Sequence, residues 1–147
     1  MAAKQTRLLE AIRGCSSWRD IQEKWKRFPE KQKGDLFEEL VKAYLEIEPE
    51  YASKLKRVWL GREVPLAVAK KLKLPATDQG IDLVAETHEG NFWAIQCKYR
   101  QETDHSLTWR EISTFTGLAF GVCRGVDFGI ICSTTERITH VLKDQER

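Results

Sequence analysis

Residues 81–87 and 92–99 are two runs of strand-forming side chains joined by His88, Glu89 and Gly90, with Asn91 flanking the second run. Apolar and β-branched residues on both sides of a short glycine-containing loop predict a β-hairpin. The loop length matters more than the strands, because a one-residue slip moves every side chain to the opposite face of the sheet. A three-residue loop flanked by Thr87 and Asn91 pairs positions whose numbers sum to 178, with Gly90 in the left-handed conformation such loops favour. Asp82 then falls opposite Gln96. A two-residue loop sums to 179 and separates them.

The second run also carries its own message. Side chains alternate faces along a strand, so Trp93, Ile95, Cys97 and Tyr99 form one apolar face. Gln96 and Lys98 share the other, roughly 7 Å apart. A carboxamide oxygen, an ammonium and a nearby carboxylate make a plausible metal site, since Mg²⁺ takes oxygen ligands and retains waters. The lysine would orient a water or offset charge developing on a phosphate. Taken singly, each residue has a plainer role: Asp82 as a strand-start cap, Gln96 as an edge hydrogen bonder, Lys98 as a snorkelling surface lysine.

The rest of the chain reads as helices around these strands. Leu8, Leu9 and Ile12 predict a first helix ending near Gly14, and Ser16 or Ser17 caps a second with Trp18, Ile21, Trp25 and Phe28 up to Pro29. This aromatic stripe reads as core. After Gly34, the positions Phe37, Leu40, Val41 and Tyr44 follow a helical period and stop before Pro49. Residues 54–60 alternate as a strand, with Leu55, Arg57 and Trp59 opposed to Lys56, Val58 and Leu60. A short helix is expected over 65–74 and a longer one over 109–120. The apolar run Phe128–Cys132 predicts a central strand covered on both faces, and a last helix begins at Glu136. The order of elements predicts a mixed α/β sheet flanked by helices.

Composition narrows the function. The 147 residues suit one compact domain with its own core. No apolar run is long enough to span a bilayer, and the start lacks a signal-peptide apolar region, so a cytoplasmic protein is expected. Four cysteines without regular spacing argue against a disulfide scaffold or a zinc site. His88, His105 and His140 show no metal spacing, and nucleotide-binding glycine loops are missing. The net charge of +2 conceals an asymmetry: residues 1–33 hold nine Lys/Arg against four Asp/Glu, and the remainder fifteen against eighteen. A second basic stretch comprises Lys54, Lys56, Arg57, Arg62, Lys70, Lys71 and Lys73 against Glu63. Such segments are either solvated faces or attractors of a polyanion.

The ordered set Gly34-Asp35-Leu36-Phe37-Glu38, then Asp78-Gln79-Gly80-Ile81-Asp82, then Gln96-Cys97-Lys98 resembles the Mrr-like branch of the PD-(D/E)XK nucleases. That branch has Gln where the superfamily usually has Asp or Glu. The run Phe128-Gly129-Ile130-Ile131-Cys132-Ser133 is similar to the family's late strand, and the resemblance covers about residues 34–140. It implies a restriction-endonuclease-like fold at residues 34–147, preceded by a helical basic appendage at 1–33. It also implies a Mg²⁺-dependent DNA endonuclease, with Mn²⁺ as a substitute. Asp82 would be the main metal ligand, with Gln96, Glu38 and the Cys97 carbonyl completing the set. Lys98 would be the catalytic lysine, and Asp78 an assistant to the metal or a stabiliser of its loop. At 100° per residue Glu38 lies at about 100° from Phe37, bordering the apolar face, whereas Glu39 lies at about 200°, toward water.

The resemblance further implies double-stranded DNA as substrate, with Lys54, Lys56, Arg57, Arg62, Lys70, Lys71, Lys73 and Arg100 on its phosphates. Target choice would come from other domains of a larger restriction enzyme: a helicase-like motor, a methyltransferase or a recognition domain. The chain would be the N-terminal module of such a protein. Cutting both strands needs two sites, so transient dimerisation is expected. A junction-resolving nuclease and a catalytically inert DNA-binding or assembly module are the alternatives.

Overall fold

The computed structural model describes residues 2–75, 80–100 and 107–134, with side chains from residue 7. Helix α1 spans Ala2–Ile12, and α2 spans Trp18–Trp25, opened by Ser17, whose hydroxyl accepts from the Asp20 amide. Helix α3 covers Glu30–Ile47 and is followed by the single turn α4, Pro49–Ala52. Strand β1, Leu55–Leu60, leads through a 3₁₀ turn, Gly61–Glu63, into α5, Leu66–Leu72. The hairpin consists of β2, Leu83–Thr87, and β3, Phe92–Lys98. Helix α6, Trp109–Thr116, opens on a Thr108–Glu111 capping box and continues as a π-helical segment, Gly117–Val122, into β4, Val126–Ser133.

The four strands form one sheet in the order β1-β2-β3-β4. The first three are antiparallel, and β4 lies parallel to β3, with Gln96 beside Ile131, Cys97 beside Cys132 and Lys98 beside Ser133. A parallel neighbour needs a crossover, which α6 and its π-helical extension supply. The chain therefore has the mixed, helix-flanked α/β sheet of the restriction-endonuclease-like fold.

Each face of the sheet carries its own core. On one, Leu55, Val58, Leu60, Leu83, Ala85 and Ile95 meet Leu36, Phe37, Val41 and Leu45 of α3, together with Leu8, Ala11 and Trp25. The other buries Val84, Phe92 and Ala94 beneath Leu72 of α5, Phe115 of α6 and Ala119. Trp25 is fully buried, and its indole nitrogen donates to the Ala11 carbonyl at 2.9 Å, which ties α2 to α1. The aromatic stripe of α2 is core.

Several local expectations need correction. The third helix starts at Glu30, not after Gly34, so position 33/34 lies inside α3, and the first two helices share the core of the strands. Strand β1 does not alternate simply. A register shift between Leu55 and Arg57 leaves Lys56 and Arg57 both exposed and sends Val58 and Leu60 to the core beside Leu55. Trp59 goes to the opposite face. Strand β4 is an edge strand among the described residues and so is not central; Ile130 and Cys132 pack on one core and Val126 and Ile131 on the other, while Phe128 is half exposed. The expected helix from Glu136 lies outside the described residues.

Candidate active site

The hairpin adopts the register that brings Asp82 toward Gln96. Its loop is His88, Glu89 and Gly90; Thr87 donates to the Asn91 carbonyl at 2.8 Å, and Gly90 has a φ of +88°. Leu83 pairs with Ile95 and Val84 with Ala94, each sum being 178. Regular pairing stops at Leu83. The Asp82 amide donates to the Ile95 carbonyl at 2.8 Å, one position off the ladder. Its carboxylate Oδ2 accepts the Cys97 backbone N–H at 2.7 Å. In an uninterrupted ladder that N–H would go to the carbonyl of Ile81.

This substitution orients a second group. A residue in a ladder turns its N–H and its C=O to the same neighbour. With the N–H of Cys97 on Asp82, its carbonyl also lies on the Asp82 side. The Lys98 carbonyl turns the other way and accepts from Thr134 at 3.2 Å.

Asp82 is pinned from β1 as well. The Gly61 amide donates to the Asp82 carbonyl at 2.7 Å, and a Cβ on Gly61 would stand 3.1 Å from the Ile81 oxygen and 3.3 Å from that of Asp82. Only glycine lets the backbones approach this closely without displacement.

Gln96 is 6% exposed, and its Oε1 is buried without a hydrogen-bond partner among the described residues. Leaving such an acceptor unsatisfied costs about 1–3 kcal/mol, so its persistence calls for a ligand or a function. Its amide nitrogen side abuts Gly80, where an added Cβ would lie 2.9 Å from Nε2. Gly80 has a φ of +113°, and Leu118 of the π-helical segment closes the same place from above.

Glu38 and Asp82 lie close enough to Cys97 for their charges to act on its thiol. Burial pushes that thiol up most strongly, followed by Cys132, Asp82 and Glu38. Cys97 therefore stays a thiol, and what it can offer a hard cation is its carbonyl. Glu39 departs from expectation. Its side chain is only 10% exposed and pairs with Arg62 at 3.7 Å, because the 3₁₀ turn Gly61–Glu63 covers that side of α3.

Lys98 follows Gln96 on the same face of β3 and looks toward α6, where its charge acts on Glu111. Glu111 also forms an ion pair with Arg100 and accepts from the Thr108 amide at 3.0 Å. Burial raises the Glu111 carboxyl, but the Thr108 amide, Arg100 and Lys98 together hold it below its ordinary value.

The donors fit a hard cation: a carboxylate, an orphaned carboxamide oxygen, a backbone carbonyl and a second carboxylate within electrostatic reach. Among the described residues no three His, Cys, Asp or Glu side chains gather closely enough to hold a metal by themselves. The set thus leans on the amide and the backbone. Asp78 lies outside the described residues.

A family model described as restriction endonuclease matches residues 46–146. The chain belongs to this restriction endonuclease family. A solved structure of the ATP-dependent Type ISP restriction-modification enzyme LlaBIII bound to DNA is similar, with 29% identity and a TM-score of 0.57 over 78% of this chain. The chain spans 7% of that enzyme's length. A search of curated protein sequences found no match.

In this restriction endonuclease domain the basic residues are divided between two ends of the sheet. Leu55 pairs with Thr87 near the hairpin loop, and Leu60 pairs with Leu83 near Asp82. Lys54, Lys56 and Arg57 therefore sit roughly 10–20 Å from the site end, at about 3.4 Å per residue. Arg62 stands at the site end on Glu39, and Arg100 is held by Glu111. Lys70, Lys71 and Lys73 are exposed, and Lys71 lies over the Phe92 ring at 5.0 Å. Sequence reasoning missed Glu111. Its signal was the Thr108-x-x-Glu111 capping pattern at the head of α6.

Proposed function

We propose that this chain is the DNA-cleaving module of a larger restriction-modification enzyme and hydrolyses phosphodiester bonds with Mg²⁺. The observation that carries the reading is the buried Gln96 Oε1, without a partner among the described residues, one residue before the backbone amide that holds Asp82 and two before Lys98. Asp82, Gln96, the Cys97 carbonyl and Glu38 would hold the cation, with Asp78 as a further candidate. Bound there, Mg²⁺ supplies positive charge to the scissile phosphate and makes water more acidic. Lys98 donates hydrogen bonds from Nζ to the attacking water or a phosphate oxygen, as a P–O bond forms on one side of phosphorus and breaks on the other.

The DNA contacts are assigned by charge and exposure. Lys54, Lys56, Arg57, Arg62, Lys70 and Lys73 reach phosphates, joined by Lys71 and Arg100 when DNA competes for them. These contacts give affinity without base choice. Target recognition and DNA movement come from other parts of the larger enzyme, as the small share of the Type ISP enzyme spanned by this chain suggests. Two copies pair transiently to cut both strands, in the cytoplasm.

Plasmid cleavage at low salt tests the reading, comparing Mg²⁺, Mn²⁺ and EDTA for wild type, Asp82→Ala and Lys98→Ala. Metal-dependent nicking absent from both variants is the expected result. Equal cleavage by all three proteins would overturn the assignment. If wild type is inactive, Mn²⁺ binding lost in Asp82→Ala keeps the site, whereas no Mn²⁺ binding favours an inert module.

A further inference from the structure

Residues 1–45 lie outside the matched span of 46–146, yet three of their aromatic rings close on one residue at the end of β3. Tyr99 packs against Trp18 of α2 at 6.2 Å between centroids, against Trp25 at 5.8 Å and against Phe37 of α3 at 5.9 Å. Trp18 also meets Trp25 at 6.4 Å and Phe37 at 6.0 Å. The four rings form a closed cluster, mostly in tilted or edge-on contacts of the favourable kind.

The place of this cluster gives it meaning. Tyr99 directly follows Lys98, and Phe37 directly precedes Glu38. One ring contact thus joins the backbone next to the proposed catalytic lysine to the backbone next to the proposed helix acid. Beyond this point β3 has left its ladder with β2, and the last strand bond from Lys98 is the Thr134 amide on its carbonyl. Burial, followed by the Glu30 charge, pushes the Tyr99 hydroxyl up to about 12, so the ring stays uncharged throughout the neutral range.

We infer that Tyr99 is a positioning residue: clamped by Trp18, Trp25 and Phe37, it fixes the strand end that presents Lys98 relative to the helix that presents Glu38. Helix α2 is then part of the working geometry of the nuclease. The inference rests on the proposed roles of Lys98 and Glu38.

Tyr99→Leu, Tyr99→Phe and Phe37→Leu test it by two readouts. The first is hydrogen exchange of the Thr134 amide in the metal-free protein, with the Ala94 and Ile95 amides as the internal reference. Tyr99→Leu and Phe37→Leu should speed exchange at Thr134 and leave the reference unchanged, whereas Tyr99→Phe should match wild type. Cleavage is the second. Tyr99→Leu should lower kcat by about 10²-fold, the scale of an ångström's misplacement, with DNA affinity unchanged and Tyr99→Phe restoring the rate. Wild-type exchange at Thr134 in both leucine variants would overturn the clamp, as would equal loss of rate in Tyr99→Phe, which would put the function in the hydroxyl. If wild type does not cleave, exchange alone judges the clamp, and Mn²⁺ binding judges the proposed function. Phe37→Leu carries the test if Tyr99→Leu does not fold.

Discussion

Asp82 Oδ2 accepts the backbone N–H of Cys97 at 2.7 Å, where continued pairing would have supplied a main-chain carbonyl. A carboxylate has lone pairs beyond the one this bond uses, so Asp82 can serve the strand and a cation together. Asp82→Asn should keep the amide bond through its own oxygen, in a neutral form worth about 0.5–1.5 kcal/mol where the charged one is worth about 1.5–3 kcal/mol. Removing its charge should weaken Mn²⁺ binding strongly. Mn²⁺ titration beside a urea melt separates the two effects, and equal Mn²⁺ affinity would remove Asp82 from the ligand set.

Gln96 should trade activity against stability. Gln96→Leu removes a buried acceptor that lacks a partner among the described residues, so the folded state should gain up to about 1–3 kcal/mol while cleavage is lost. A clear loss of stability in the urea melt would mean that Gln96 is held structurally. Gln96→Glu restores the acid more usual in the superfamily and should lower the Mg²⁺ concentration needed for half-maximal cleavage.

Gly80→Ala places a Cβ 2.9 Å from Gln96 Nε2 on a backbone with a φ of +113°. Strain of this kind costs about 1–3 kcal/mol. Relief requires Gln96 to move, so the variant should lose both melting temperature and cleavage. Full activity at normal stability would show that the chain passes Gln96 less closely.

The Glu111 carboxyl is lowered, so its contribution is present in full above its ordinary value of 4.5 and is lost as pH falls through the lower folded value. Glu111→Gln cannot titrate. The stability gap between wild type and Glu111→Gln should be largest near neutral pH and shrink on acidification below 4.5. A gap that is constant across that range would mean the Arg100 pair contributes nothing electrostatic.

Removing Lys54, Lys56 and Arg57 together tests how far bound DNA extends from the site. Each lost phosphate contact should reduce the salt slope of binding by about 0.9. Cleavage at saturating DNA should stay near wild type, because these residues sit at the hairpin-loop end of the sheet. An unchanged slope would confine the DNA to the Asp82 end.

The hairpin could be read from sequence because its decisive feature is local. A glycine at the third loop position sets the register, and the register sets which side chains meet. Glu39 could not be read, since helix angles place residues relative to their own helix and say nothing of the turn that later covers them. The bulge in β1 escaped because Lys56 and Arg57 look the same in any register that exposes both. Strand β4 was misjudged because an apolar run of strand residues is alike at the edge and at the centre. The helix start was misplaced because a glycine with open space around it, as at Gly34, does not interrupt a helix whose other residues pack well.

The hairpin register also bears on the order in which the protein assembles. Asp82, Gln96 and Lys98 lie just past the open end of one antiparallel pair closed by a three-residue loop, which needs no distant partner to form. Strand β4 must wait for its crossover, and Arg100 meets Thr134 only across 34 residues. Local contacts form sooner than distant ones. The proposed catalytic groups therefore come together early, and the parallel strand and the Thr134 bonds lock them last. A growing chain that has passed Lys98 but not Thr134 would hold the proposed catalytic groups in loose form until β4 is in place.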